Sequence, residues 1–237
     1  MSLVTLAEQL RDAVDQLTFC PPVACTYNPL RYAWDPHRRY LERYGRGRKR
    51  VVFMGMNPGP YGMTQTGVPF GEIAAVRDWL KISGRVERPA IEHPKRPITG
   101  FECTRSEVSG RRLWGLFASR FGSPDAFFRE HFVLNYCPLV WMSETGANVT
   151  PDKLPAASQA AVNSVCEASL RRALERLQPE YAVGIGGFAA QRLATVTRPD
   201  DPWEVMQVLH PSPASPAANR DWAGAVTRSL EAAGVWT

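Results

Sequence analysis

A short apolar strand that ends in a stiff loop is the feature that most constrains this chain. The run Val51–Met54 is β-branched and aromatic, which is typical of a buried strand, and the glycine- and proline-rich residues 55–71 stop it. In α/β proteins, ligands bind just beyond the carboxyl ends of parallel strands. Prolines stiffen this loop, while Gly59 lets a ligand approach the backbone closely. The pattern therefore predicts a binding site around Asn57.

Four short apolar segments separated by helical patterns predict a parallel sheet with crossover helices. The strands are expected at Arg50–Met56, His131–Asn135, Tyr181–Gly187 and Glu204–His210. The helices are expected at 2–18, 71–82, 109–121, 156–177, 187–196 and 216–233. Ser109 and Ser123 are expected to be helix N-caps. We predict an α/β chain with three α/β/α layers, a central four-stranded parallel sheet and a single domain over residues 1–237.

The composition is that of a globular protein, with 44% hydrophobic and 22% charged residues. The first segment carries Glu8, Asp12 and Asp15 between its apolar residues, so it is expected to be an amphipathic helix instead of a secretory signal. No apolar run approaches the roughly 20 residues that cross a bilayer. We expect a cytoplasmic protein with no membrane partner, or a nuclear one in a eukaryote.

The five cysteines lack the paired spacing of a metal site, so free thiols and no metal are expected. The net charge is +5. Residues 31–50 hold eight Lys/Arg against Asp35 and Glu42, a local charge of +6, so the rest of the chain is at −1. Positive charge beside the Asn57 loop indicates a polyanionic partner, because phosphate neutralisation supplies much of nucleic-acid affinity. An ordinary solvated segment is the alternative.

Three polar residues are expected to line one pocket. Asn57, Asn135 and His210 each follow a predicted strand, and parallel strands end at one edge of the sheet. His210 also opens a proline-rich segment. Residues 184–188 contain part of a dinucleotide-binding glycine pattern, but tight packing of a strand against a helix explains it better, because the full spacing is missing.

These segments resemble the single-strand-selective monofunctional uracil-DNA glycosylase family, within the uracil-DNA glycosylase superfamily. Other branches carry Asp or Glu in the first motif, so Asn57 narrows the branch. The resemblance runs through most of the chain, at Tyr27–Trp34, 55–72, His93–Pro97, Ser106–Gly110, Asn135–Leu139 and His210–Trp222. It implies a uracil-DNA glycosylase-like fold and an enzyme that hydrolyses the N-glycosidic bond of uracil in DNA. Single- and double-stranded DNA, 5-hydroxymethyluracil and related oxidised or deaminated bases are implied substrates, with no strand cleavage and no cofactor.

The resemblance assigns catalysis to Asn57, which would position water, and to His210, which would donate a hydrogen bond to uracil O2. Asn135 would read the Watson–Crick edge, because a carboxamide complements the N3–H and O4 of uracil. Phe70 would stack under the flipped base. The remaining implied base contacts are Met56, Gly59 and Met63.

The segment from Gly59 to Met63 would face the 5-position of the base, and it carries Tyr61 where relatives have phenylalanine. Relatives also carry a basic residue that wedges into the duplex, in the loop after the histidine. Here that stretch is uncharged, and Arg220 is the nearest cation. The DNA contacts implied by the resemblance are Pro211, Ser212, Pro213, Ala214, Ser215, Lys95 and Arg96.

Two other classes of function stay open from the sequence. One is a catalytically weak module of the same fold that binds uracil or DNA. The other is hydrolase chemistry in which Cys137 or Ser212 acts with His210, although neither lies in a nucleophile-elbow motif. The expected partner is uracil-containing DNA, and the expected state is a monomer.

Overall fold

A four-stranded parallel sheet forms the centre of the protein in the computed structural model, which describes residues 1–237. Its strands lie in the order β3 (His131–Asn135), β2 (Val51–Gly55), β6 (Tyr181–Ile185) and β7 (Glu204–Val208). Strand β2 is central, and all five of its residues are buried, as a fully covered parallel strand requires. The strands of the whole protein are β1 Cys25–Tyr27, β2 Val51–Gly55, β3 His131–Asn135, β4 Val140–Met142, β5 Asn148–Val149, β6 Tyr181–Ile185 and β7 Glu204–Val208.

A second sheet, β1-β4-β5, is antiparallel and was not predicted from the sequence. Its strands have two or three residues each, too short to show a periodic pattern. Tyr27 pairs with Val140, and both side chains are fully buried in a small separate core. Its strand β4 follows β3 directly in the chain, so this sheet lies beside the carboxyl edge of the main sheet.

Helices surround the parallel sheet, and the fold has the predicted three α/β/α layers. Helix α8 (Gly187–Val196) packs on β6 and β7, and α7 (Ala156–Leu177) packs on α1 (Leu3–Val14) and α8. Helix α9 (Pro216–Ala232) packs on α5 (Val108–Phe121) and β7. None of the helices is both long enough and apolar enough to span a bilayer. The α-helices are α1 Leu3–Val14, α2 Pro29–Tyr32, α3 Trp34–Tyr44, α4 Met63–Thr66, α5 Val108–Phe121, α6 Pro124–Phe128, α7 Ala156–Leu177, α8 Gly187–Val196 and α9 Pro216–Ala232.

The predicted helix at 71–82 is too long. Helical residues run only from Ile73 to Trp79, and Ala75–Trp79 of these are π-helical. The segment follows a sharp turn at Phe70. The side chain of Glu72 accepts a hydrogen bond from the Ala75 amide at 2.9 Å and fixes where the segment begins. The apolar periodicity was real, but it covers only these few residues. Two short 3₁₀ segments, Gly100–Glu102 and Pro151–Lys153, complete the regular structure.

Of the two predicted N-caps, one is correct. Ser123 accepts a hydrogen bond from the Ala126 amide at 3.2 Å and caps α6. Ser109 does not cap α5, because Glu107 does: its carboxylate accepts from the Ser109 amide at 3.1 Å and from the Gly110 amide at 2.6 Å. Glutamate is an unusual N-cap residue, and this one brings a negative charge to the helix N-terminus.

Candidate active site

A cavity of about 440 Å³ lies at the carboxyl edge of the parallel sheet. The structure brings eight of the predicted residues together there: Met56, Asn57, Gly59, Met63, Phe70, Asn135, His210 and Ser212. No base or DNA contact was predicted for the other lining residues, which are Pro58, Glu107, Ser109, Asn148, Thr150, Ile185, Gly186, Gly187 and Phe188. Because β2 and β3 pair in parallel with Gly55 opposite Asn135, the ladder itself places the Asn57 loop beside Asn135.

The floor of the cavity depends on the absence of a side chain at Gly55. A Cβ at this position would lie 2.5 Å from a Phe70 ring carbon and 2.6 Å from the Asn135 Oδ1. Phe70 adopts a left-handed backbone with φ of 52°, which is uncommon for a bulky residue. Its carbonyl accepts a hydrogen bond from the Trp114 indole at 3.1 Å, so the core side of the protein holds this turn. The result is an aromatic face directly beside a carboxamide.

Asn135 keeps hydrogen-bonding capacity for a ligand. Its Nδ2 lies 3.2 Å from the Met63 sulfur, and this is its side chain's one protein hydrogen bond. A carboxamide has two donor hydrogens and an acceptor oxygen. One donor and the Oδ1 acceptor therefore stay available at the end of β3. This is the pair of groups needed to bind an edge that presents one acceptor and one donor.

A hydrogen bond to the backbone of Leu139 fixes the orientation of the Asn57 side-chain amide. Its Nδ2 donates to the Leu139 carbonyl at 3.1 Å, so its Oδ1 is the atom left to accept a hydrogen bond in the cavity. The backbone N–H groups of Met56 and Asn57 donate to no protein acceptor. Unpaired amides at a loop that lines a cavity are suited to binding an electron-rich atom of a ligand.

His210 is held in one tautomer. The Ser212 amide donates to its Nδ1 at 3.1 Å, so the proton of the neutral ring resides on Nε2 and that nitrogen is the donor. Burial lowers the pKa of His210, which favours the neutral imidazole at neutral pH. Gly186, with φ of 90°, packs under the ring, because a Cβ there would lie 3.1 Å from the His210 Cβ. The imidazole centroid lies 6.5 Å from that of Phe70, so the donor and the aromatic platform border the same space.

The segment after His210 is anchored by α5 and α9. Arg112 donates to the Pro211 carbonyl at 3.0 Å and to the Asn219 side chain at 2.8 Å. The Trp222 indole donates to the Leu209 carbonyl at 2.7 Å. These bonds leave the tip of the segment in solvent: Pro213 and Ala214 are exposed, and Ser215 caps α9.

Glu107 is the one carboxylate that lines the cavity. It belongs to the Ser106–Gly110 motif, but no sequence signal separated it from an ordinary surface acid. A Cβ added to Gly62 would lie 3.3 Å from its Oε2, so the carboxylate packs tightly against the Asn57 loop. Burial raises the pKa of Glu107, and the two amides that it caps work against that rise. The net shift is upward, so burial favours the protonated acid more than the two amides favour the carboxylate.

Tyr61 does not line the cavity. Its hydroxyl accepts a hydrogen bond from Arg96, and the Arg96 and Arg105 guanidinium carbons lie 5.4 and 4.8 Å from the ring centroid. The hydroxyl that distinguishes this residue from phenylalanine thus bonds an arginine at the outer surface. Lys95 is exposed and, like Arg96, lies outside the cavity.

The basic segment 31–50 is not the cationic flank of the site that its charge indicated. Its last residues precede β2 and therefore lie at the amino edge of the sheet, opposite the cavity. The ammonium of Lys49 is buried and donates to the Phe128 carbonyl. Arg31, Arg38 and Arg39 form ion pairs with acids of their own surroundings. Most of this charge serves the local structure.

The cysteines are free, and three of them, Cys25, Cys137 and Cys166, are buried. Cys137 does not line the cavity, so the structure contradicts the hydrolase alternative that uses it as nucleophile. Ser212 lines the cavity, but its hydroxyl accepts from the Ala214 amide and makes no bond to His210. No group of three or more His, Cys, Asp or Glu side chains is arranged to hold a metal ion.

A parallel sheet with two asparagines and a histidine at its carboxyl edge defines a class of base-excising proteins, the uracil-DNA glycosylases. The family model of the uracil DNA glycosylase superfamily matches residues 42–230. Single-strand selective monofunctional uracil-DNA glycosylases from Rattus norvegicus and Bos taurus are each 48% identical to the chain over 233 residues. The match spans 97% of the chain and 84% and 86% of the two relatives. The protein belongs to this family of single-strand-selective monofunctional enzymes.

A solved structure supports the fold independently of sequence. The crystal structure of wild-type SMUG2 from Pedobacter heparinus superimposes with a TM-score of 0.69 and covers 97% of each chain, at 17% identity. At that identity, the likeness shows the fold alone.

Proposed function

We propose that this protein hydrolyses the N-glycosidic bond between uracil and deoxyribose in DNA and leaves the strand unbroken. One observation carries the proposal: a single cavity presents an aromatic face, a carboxamide beside it and a histidine Nε2 donor. A base bound in the cavity would be flipped out of the stack, which costs a few kcal/mol and least for an unpaired base.

Uracil would stack on Phe70 and pair with Asn135. The free Nδ2 hydrogen would donate to O4 and the Oδ1 would accept from N3–H. Cytosine presents an amine and an acceptor in those places, so donors would face each other in a buried site. Mismatches of this kind are penalised heavily because both polar groups are left unpaired.

Bond cleavage would leave the electron pair of the C1′–N1 bond on the base. The His210 Nε2–H would stabilise the developing charge at O2, together with the free amides of Met56 and Asn57. A donor aimed at developing charge contributes about 3 kcal/mol. The Asn57 side chain is an amide and cannot act as a general base. Its Oδ1 would instead accept a hydrogen bond from water and orient the water toward the sugar cation. The water oxygen then bonds C1′, and its proton balances the charge on the base.

Strand cleavage would need an amine to form a Schiff base with the sugar, and no lysine lines the cavity. The nearest lysine of the motifs, Lys95, is exposed outside it. This supports a monofunctional reaction that ends at the abasic site.

Substrate range beyond uracil is part of the proposal. Gly59 and Met63 line the cavity, which supports recognition of a 5-hydroxymethyl group by the loop that carries them. The segment Pro211–Ser215, through its exposed residues Pro213 and Ala214, would contact DNA together with the exposed Lys95 and the half-buried Arg96. The exposed, uncharged Ala214 would make a weak wedge, so we expect single strands and mismatched pairs to be preferred over A·U pairs.

Excision from a uracil-containing single-stranded oligonucleotide tests the proposal. The wild type should release uracil, and the strand should break only after alkali. Asn57→Ala should lower turnover while binding of uracil-DNA persists, and His210→Ala should lower turnover by tenfold or more, which corresponds to about 1.4 kcal/mol. Tight binding without any release by the wild type would instead establish the non-catalytic alternative.

A further inference from the structure

A second concavity lies beside the active site, between α5 and α9. It has a volume of about 460 Å³, and Arg111, Arg112 and Arg220 line it. We call it the arginine groove. Arg220 belongs to the segment His210–Trp222, but neither the resemblance nor the charge distribution along the chain predicted a groove shared with Arg111 and Arg112.

The positive charges of the arginine groove are not neutralised by the protein. None of its three arginines forms an ion pair, and the one carboxylate in the groove, Asp221, pairs with Arg228 at 3.2 Å. Arg111 and Arg220 are exposed. Three like charges in one concavity repel each other, and they favour a ligand with repeated negative charges.

The groove is continuous with the active site. Arg112 donates to the carbonyls of Pro211 and Ser212, and Ser212 also lines the active-site cavity. Glu107, the N-cap of α5, and Ser109 in its first turn line the cavity, and Arg111 and Arg112 follow within the next turn. A strand with one nucleotide in the cavity would therefore carry its next phosphates across this rim and into the groove.

We propose that the arginine groove binds the phosphodiester backbone next to the flipped nucleotide. The groove would supply the positive charges that the uncharged tip at Ala214 lacks. This inference rests on the proposed function, because it places the DNA by the cavity. Arg112 would keep the segment after His210 in place, while Arg111 and Arg220 would contact phosphates.

The test is the double variant Arg111→Ala/Arg220→Ala in the full-length chain. The probe is a single-stranded oligonucleotide of about 20 nucleotides that carries 2′-fluoro-deoxyuridine, and its binding is followed by fluorescence anisotropy. Loss of two phosphate contacts should reduce the slope of log K against log salt by about 1.4, which is an affinity loss of about 25-fold at 0.1 M salt. For uracil excision, KM should rise while kcat is kept.

A matched control removes the same charge elsewhere. Arg48 and Arg129 are exposed and without ion pairs, and they precede β2 and β3 at the opposite edge of the sheet. Arg48→Ala/Arg129→Ala should keep the salt slope, and Arg111→Lys/Arg220→Lys should restore it. Equal effects of both double alanine variants, or an unchanged slope in the groove variant, would overturn the inference. If the wild type excises uracil and the groove variant binds the oligonucleotide as tightly as the wild type, the inference fails while the proposed function stands. Absence of excision by the wild type would count against the proposed function instead.

Discussion

Replacing Gly55 by alanine should disable the site with little effect on the fold. The added methyl would lie 2.5 and 2.6 Å from two Phe70 ring carbons and 2.6 Å from the Asn135 Oδ1. Carbon atoms pack at about 3.5–4.0 Å, so both side chains must retreat by about 1 Å. A misplacement of that size costs about 100-fold in rate, or about 2.7 kcal/mol of transition-state stabilisation. Overpacking in a core costs about 1–3 kcal/mol of folding free energy, and the low end applies here because both neighbours are side-chain ends.

Single-turnover uracil excision and thermal unfolding would separate the two effects of Gly55→Ala. The rate should fall about 100-fold while the folded state persists at assay temperature. Gly115→Ala is the matched control: Gly115 lies in α5 with open space around its Cβ position, so stability should rise by about 0.5–1 kcal/mol at unchanged rate. A Gly55→Ala enzyme with nearly the wild-type rate would show that the close packing of Phe70 and Asn135 against Gly55 is not needed for excision.

Three further perturbations test separate parts of the structure. Asn135→Asp should nearly abolish uracil excision and release cytosine slowly, because a carboxylate accepts from the cytosine amine and burial raises its pKa toward the protonated form; intact uracil excision would exclude Asn135 as the edge reader. His131 accepts from the Trp236 indole at 3.1 Å, and burial lowers its pKa to about 4. As the pH falls, the histidine of the unfolded chain, with a pKa near 6.5, is protonated before the buried His131 of the folded protein. The contribution of neutral His131 to the free energy of unfolding is therefore complete above about pH 6.5 and is lost toward pH 4. The loss from His131 is on the order of 3 kcal/mol in urea unfolding. His131→Phe should remove this share of the pH dependence, while His37, whose pKa burial also lowers to about 4, keeps its own share. Ala214→Arg should raise the rate on A·U duplex more than on single strands, and equal gains on both would contradict a wedge role for this position.

The strands were the most predictable part of the fold, because a buried parallel strand is a continuous apolar run. The expected strand at His131–Asn135 matches β3, and the other three are right to within one or two residues at each end. The expected helix at 71–82 is shorter in the structure, because Phe70 before it and Lys81 after it both enter the left-handed region. The sequence does not predict this conformation for residues other than glycine. Tight packing at Gly184 was predicted correctly, since a Cβ there would lie 2.2 Å from the Ala190 nitrogen.

Charge was the least predictable property of the site. The segment 31–50 is the most basic part of the sequence, yet its charges are used in local ion pairs. Arg38 and Arg39 pair with acids of the same helix, and Arg31 pairs with Asp15 of the preceding segment. The unpaired arginines of the groove come from two helices about 110 residues apart and form no cluster in the sequence. Glu107 escaped notice for a related reason, because its burial depends on contacts with Gly59 and Gly62 of another loop.

The pairing of Gly55 with Asn135 has a consequence for how the DNA is selected. The spacing between Asn135 and the loop of Asn57 is set by a hydrogen-bonded ladder, so these two parts of the pocket are in place without a ligand. No movement of β2 against β3 is then needed to bring them together, and their assembly supplies no free energy for extracting a paired base. The free energy of unpairing and unstacking uracil is then a property of the DNA. We expect this free energy, more than any protein contact that distinguishes single from double strands, to decide which lesions are excised fastest.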